Sequence, residues 1–171
     1  EKTIFNLLGA HTNPCGAKRQ IIGVYDKSLL NTFSTVAKNL DMEHVMVVHG
    51  DDGLDEISIA SDTHVSELRD GSIRDYVITP EQFGVARQSL ASLVVGDAEE
   101  SCQMIRSALN GEPGPASDMV ALNAGATIYS ADLADSMETG VERAKAILSS
   151  KAGAAKLDEL CAYTQQFTEQ D

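Results

Sequence analysis

The chain has 171 residues, 43% hydrophobic and 23% charged, enough for one domain with a substantial core. Thirteen Lys and Arg against 26 Asp and Glu leave a formal net charge of −13. So acidic a protein repels nucleic acid and anionic membrane surfaces, and a phosphorylated ligand would need a local cation or metal to approach it. Cys15, Cys102 and Cys161 form neither a Cys-x-x-Cys metal pair nor a secreted disulfide framework, which points to a reducing, cytoplasmic compartment. No apolar run reaches the roughly 18 residues of a membrane span. The opening Glu1-Lys2-Thr3 carries no initiator Met and no charged-then-apolar leader, so the chain reads as a fragment.

In chain order, residues 21–25 (Ile-Ile-Gly-Val-Tyr) and 45–48 (Val-Met-Val-Val) are short β-branched runs, as expected of parallel strands covered on both faces. Between them Leu29, Leu30, Phe33, Val36, Ala37 and Leu40 recur every three or four residues. That spacing predicts an amphipathic helix, with Ser28 as its N-cap. Strand, helix and strand make a βαβ unit with a right-handed crossover. Residues 56–59, 64–69 and 72–79 then read as short strands. The last two are joined by Asp70-Gly71, a two-residue turn signal that demands positive φ.

Thr79-Pro80-Glu81-Gln82 opens a turn or short helix with proline in its first turn. From residue 97 the chain is helical. Asp97 caps a helix while Glu100 reaches back in a capping box, Met104, Ile105, Ala108 and Leu109 face the core, and Gly111 ends it. Pro115 starts the next helix, where Asn123 interrupts an apolar face and 124–126 (Ala-Gly-Ala) permits close packing. Two more helices, over about 132–149 and 152–166, complete one unit without repeats or linkers. The predicted class is α/β. Its mixed, largely parallel sheet has flanking helices, a short antiparallel hairpin excursion and a helical C-terminal third.

Two stretches carry a resemblance. One is Thr3-Ile4-Phe5-Asn6-Leu7-Leu8-Gly9-Ala10-His11-Thr12-Asn13-Pro14, followed by Ile22-Gly23-Val24-Tyr25. The other is Val47-Val48-His49-Gly50-Asp51-Asp52-Gly53-Leu54-Asp55-Glu56-Ile57-Ser58. Both resemble the anthranilate phosphoribosyltransferase family, and Asp97–Glu100 and Leu122–Ala126 match its later helices at the same spacing. The resemblance implies an incomplete phosphoribosyltransferase or nucleoside phosphorylase-type domain. Residues 1–171 would form the C-terminal portion of an α/β domain, without the N-terminal helical domain, the glycine-rich pyrophosphate loop, the Lys-His-Gly segment or the anthranilate-contacting Arg. It also implies a homodimeric parent enzyme that joins anthranilate to phosphoribosyl pyrophosphate (PRPP) in tryptophan biosynthesis. The 171-residue chain alone is then expected to be inactive.

Neighbouring side chains on a strand face opposite ways, so Asp55 and Glu56 can serve one site only from a turn, and Asp51-Asp52-Gly53 supplies one. Following the 45–48 strand, the pair falls at the carboxyl end of the sheet, where open α/β folds bind ligands. Mg²⁺ takes one or two carboxylates together with phosphate oxygens and water. On residues alone the pair reads as a solvated loop. The resemblance implies that Asp55 and Glu56 are magnesium ligands.

Where the family has Gly-Pro-Leu this chain has Gly9-Ala10-His11, losing a fixed φ and placing a titratable ring in an apolar wall. The resemblance puts Gly9, Ala10, His11 and Asn13 beside the anthranilate channel. The departure reads as altered affinity, another acceptor, drift, or a plain structural turn. His49 reads as a strand-end residue bonded to backbone, His44 and His64 as surface residues, Lys18 and Arg19 as a solvated loop, and Asn123 as a satisfied core amide. Two alternatives stand beside the transferase: a phosphorylase-like enzyme with another acceptor, and a non-catalytic binding relative of the same fold.

Overall fold

A computed structural model describes residues 9–167, so the Thr3–Leu8 part of the first resembling stretch lies outside the described residues. Four strands, β1 (Arg19–Gly23), β2 (His44–Gly50), β3 (Thr63–Arg69) and β4 (Ser72–Ile78), form one sheet in the order β1-β2-β3-β4. Five α-helices are described: α1 (Leu30–Asn39), α2 (Ala98–Leu109), α3 (Pro115–Ser130), α4 (Met137–Ser149) and α5 (Ala152–Gln165).

β1 and β2 pair in parallel, from Arg19↔His44 to Gly23↔Val48. The β2–β3 and β3–β4 pairings are antiparallel. The sheet is mixed as expected, but its antiparallel share is larger than the apolar runs suggested.

β2 shows why a doubly covered strand reads as an unbroken apolar run. Val45 and Val47 pack with Leu30, Phe33 and Ala37 of α1, while Met46 and Val48 pack on the opposite face with Leu122 and Ala126 of α3 and Val141 of α4. Helix lies on both sides of the sheet. The crossover through α1 begins in a 3-10 turn, Lys27–Leu29, capped by Asp26, whose carboxylate accepts from the Ser28 amide at 2.9 Å. The cap is therefore Asp26 and not Ser28, because the aspartate sits one turn ahead of the apolar periodicity.

Residues 56–59 are not a strand. Ile57, Ser58 and Ile59, 1%, 0% and 0% exposed, anchor a loop in the core and line no ladder. Asp70 and Gly71 take φ of 50° and 74°, as the hairpin turn requires. Thr79 caps the 3-10 turn Pro80–Phe83 in a full capping box with Gln82.

At α2, Asp97 accepts from the Glu100 amide at 2.9 Å, but Glu100 reaches the Gly96 amide at 2.7 Å in place of that of Asp97. Ile105, expected in the core, is 49% exposed, and only Ala108 of that helix is fully buried. The later helices start where caps allow, α4 behind Ser136. α3 and α4 cross at two glycines: a Cβ built on Gly140 would lie 2.3 Å from the Gly125 carbonyl oxygen. Nothing larger than hydrogen fits between these backbones.

Candidate functional site at the carboxyl edge of the sheet

Because β1 and β2 run in parallel, Gly23 and Gly50 end at the same edge, and the loop of residues 51–62 covers it. The loop is stapled at both ends. Gly50 N–H donates to Leu54 O and Asp51 N–H to Asp62 O, both at 2.9 Å. Gly53 turns the chain with φ of 91°.

Inside, the Asp52 carboxylate accepts from Leu54 N–H at 3.2 Å and from the Ser58 hydroxyl at 2.5 Å, while the Ser58 amide donates to Thr63 Oγ1 at 3.1 Å. Arg87 ties the loop's far end to the following turn, donating to Asp62 at 2.6 Å and to Glu81 at 2.9 Å. These contacts fix a conformation in which the backbone of Asp55 rests on Gly23. A Cβ at position 23 would fall 1.7 Å from the Asp55 carbonyl oxygen.

Gly23→Ala is therefore expected to push the loop off the edge of β1, lowering unfolding stability by about 1–3 kcal/mol. Denaturant titration checks it, and an unshifted midpoint would mean that the loop is not seated on β1.

Asp55 and Glu56 are both exposed, and among the described residues neither carboxylate takes part in a hydrogen bond or an ion pair. Partial burial, and then the Asp55 charge beside it, hold the Glu56 pKa above the ordinary carboxylate value. Two hard oxygen anions forced together, one resisting ionisation, suit a small divalent cation that would relieve both penalties. Among the described residues no group of three or more His, Cys, Asp or Glu is placed to hold a metal. This pair could thus offer two ligands and no closed cage. Among the described residues the pair lines none of the five cavities of about 190 to 430 Å³.

His49 Nδ1 donates to Val24 O at 2.8 Å, as expected of a strand-end imidazole. His64 is half-buried, not a free surface residue, because Asp51 and Lys27 both reach its Nε2, at 2.8 and 2.9 Å. Gly9 and Ala10 share a short 3-10 turn with His11, whose Nε2 is 3.2 Å from Phe33 O and whose ring lies 4.9 Å from the Phe33 ring. Asn13 accepts from the Cys15 amide at 2.9 Å. His11 and Asn13 line a cavity of about 190 Å³ with Lys18, Gln20, Leu40 and Met42. That places them beside α1 and the start of β1. Among the described residues no hydrogen bond or ion pair joins them to the acidic loop.

A second charged cluster sits at the opposite edge. His44, read as a surface residue, is 2% exposed and meets the 5% exposed Glu67 at 2.8 Å. Tyr76 donates to the other Glu67 oxygen at 3.1 Å, and Asp132 lies 3.4 Å from His44 Nδ1. Arg69 donates to the Tyr129 hydroxyl at 2.8 Å, and Arg19 pairs with Asp132 and Glu43 at 2.9 Å, so Arg19 is a strand residue in a network and not part of a solvated loop. Sequence reasoning missed this network because its members are scattered from residue 19 to residue 132. A buried strand opening on a histidine was the one signal.

Residues 1–156 match the family described as "Glycosyl transferase family, a/b domain". The chain belongs to that family. It is 49% identical to a protein of Methylococcus capsulatus over 97% of its length, and 49% identical to one of Chromohalobacter salexigens over 99%. Both are called anthranilate phosphoribosyltransferase, so the resemblance read from the motifs is borne out. In each case the chain spans 49% of the relative's length.

Among solved structures, anthranilate phosphoribosyltransferase from Thermus thermophilus superposes with a TM-score of 0.87 at 35% identity, over 96% of this chain and 49% of that one. The Saccharomyces cerevisiae enzyme in complex with PRPP and Mg shares the fold, with a TM-score of 0.79 at 22% identity over 92% of this chain and 46% of its own. No helix among the described residues is long and apolar enough to cross a membrane.

Proposed function

We propose that this chain is the C-terminal portion of the α/β domain of an enzyme that transfers phosphoribosyl from PRPP to anthranilate in tryptophan biosynthesis. Asp55 and Glu56 are its magnesium ligands. The observation that carries the reading is the stapled loop at the carboxyl edge of β1 and β2, holding two adjacent carboxylates that have no hydrogen-bond or ion-pair partner among the described residues. The relatives' names give the substrates, and the yeast structure gives PRPP and Mg as ligands of a protein with this fold. The complete protein is proposed to be a cytoplasmic homodimer.

The reaction is displacement at the anomeric carbon of the ribose. The amine of anthranilate attacks, pyrophosphate leaves, and the transition state has oxocarbenium character. Little covalent help is needed; orientation and stabilisation of the leaving group's charge do most of the work. Bound Mg²⁺ would supply a Lewis acid for the diphosphate and a template for it. This chain's residues hold the carboxylates at the strand tips, and the seating of Asp55 on Gly23 fixes their approach.

We also assign Gly9, Ala10, His11 and Asn13 to the acceptor side, supported by the cavity that His11 and Asn13 line. No general base for anthranilate is assigned to this chain. The segment on its own is expected to be inactive.

Calorimetry tests this. PRPP titrated into the complete protein is expected to bind with Mg²⁺ and to lose most of its affinity in chelator. Equal affinity in chelator would falsify the magnesium assignment. Turnover by the isolated 171-residue chain would refute its dependence on the remaining half.

A further inference from the structure

Asn123 lies on α3, two residues ahead of the glycine that crosses α4, and its side chain is aimed at the acidic loop. Its Oδ1 accepts from the Ile57 amide at 2.9 Å. Its Nδ2 donates to Ile57 O at 2.9 Å and to Met119 O at 3.0 Å. One carboxamide thus clasps both polar groups of the residue that directly follows Glu56. The Ile57 side chain is 1% exposed, so the clasp closes over a buried anchor. Among the described residues no other side chain hydrogen-bonds the backbone of residues 55–57.

We propose that Asn123 is a positioning residue for the carboxylates of Asp55 and Glu56, setting the height and angle at which they meet a divalent cation. The inference rests on the reading of those two residues as metal ligands. Repulsion between two adjacent anions favours any loop movement that separates them. The clasp opposes that movement at the next residue. Its rigidity comes from α3, which is locked to α4 by the Gly125–Gly140 contact. Groups that hold metal ligands from outside typically carry 10–100-fold in metal affinity. A carboxamide fits where a carboxylate would not, because Ile57 O and Met119 O both need a donor.

A merely structural amide makes a different prediction. It would lower the melting temperature and leave the magnesium response unchanged.

The test uses the complete protein with Asn123→Ala and Asn123→Asp. The expected result is a 10–100-fold rise in the Mg²⁺ concentration for half-maximal PRPP binding, with most of kcat recovered at saturating Mg²⁺. A folded variant with a native magnesium midpoint overturns the proposal, whatever its melting temperature.

Asp55→Asn with Glu56→Gln separates the two levels. If that variant keeps native magnesium dependence, the ligand assignment itself fails. If it loses it while both Asn123 variants keep theirs, only the positioning role fails. Should neither Asn123 variant fold, amide hydrogen exchange on the wild-type protein decides. Ile57 N–H is expected to be protected like the amides of β2, and exchange as fast as that of the neighbouring Glu56 amide overturns the clasp.

Discussion

Asp55→Asn combined with Glu56→Gln is expected to abolish magnesium-dependent PRPP binding while leaving the fold intact or slightly firmer. The two effects run in opposite directions for one physical reason. Glu56 has its pKa raised by partial burial and by the Asp55 charge, so its ionised form is disfavoured in the folded protein. A carboxylate with a raised folded pKa weakens the fold at pH values above it. Replacing both carboxylates by amides of nearly the same shape removes that burden and removes the anionic ligands proposed for the metal. The loss of magnesium affinity should exceed about 100-fold, since even outer partners of metal ligands are worth 10–100-fold. Two measurements check it: a thermal melt at neutral pH and a magnesium titration of PRPP binding. A fall in melting temperature with magnesium response retained would mark the pair as structural.

The second large effect lies at the other edge. Glu67→Ala should cost about 1–3 kcal/mol, the range for leaving a buried polar group without its partner, because the buried His44 and the half-buried Tyr76 lose their acceptor. Burial acts to raise the Glu67 pKa, but hydrogen bonds from His44, Tyr129 and Tyr76 and the charge of His44 outweigh it, and the net direction is down. A depressed carboxylate stabilises the fold above its unfolded value of about 4.5, and that contribution drains away as pH falls through the lower folded value. The native protein should therefore lose stability below pH 4.5 more steeply than Glu67→Gln. Parallel acid-unfolding curves would show that the carboxylate is not ionised in the fold.

What was legible in the sequence follows physical locality. The 45–48 run gave β2 because a strand buried on both faces needs apolar residues at every position, whereas 21–25 only overlaps β1 (Arg19–Gly23), an edge strand in which Ile22 alone is fully buried. Asp70-Gly71 gave the hairpin because few residues accept positive φ. Residues 56–59 misled, since Ile57, Ser58 and Ile59 are all buried in a loop, and burial does not show whether the backbone is in a ladder. His44 misled for another reason: its partner Glu67 lies 23 residues away on an antiparallel neighbour, and no local pattern announces a cross-strand contact.

The acidic pair was visible as a dipeptide, and its placement followed from the strand before it. The seat on Gly23 and the staples of Asp52, Ser58 and Thr63 were not visible. They depend on a loop closing on itself and on a strand more than 30 residues upstream.

The glycine crossing of α3 and α4 has a bearing on evolution as well as on packing. With no side chain between the two backbones, the helix pair acts as a single stiff rail, and Asn123 is bolted to it. Drift along that rail cannot be absorbed locally; it arrives at the acidic dipeptide as a tilt. On the proposed magnesium role, natural variants far from the strand tips are therefore expected to alter the response to divalent ions.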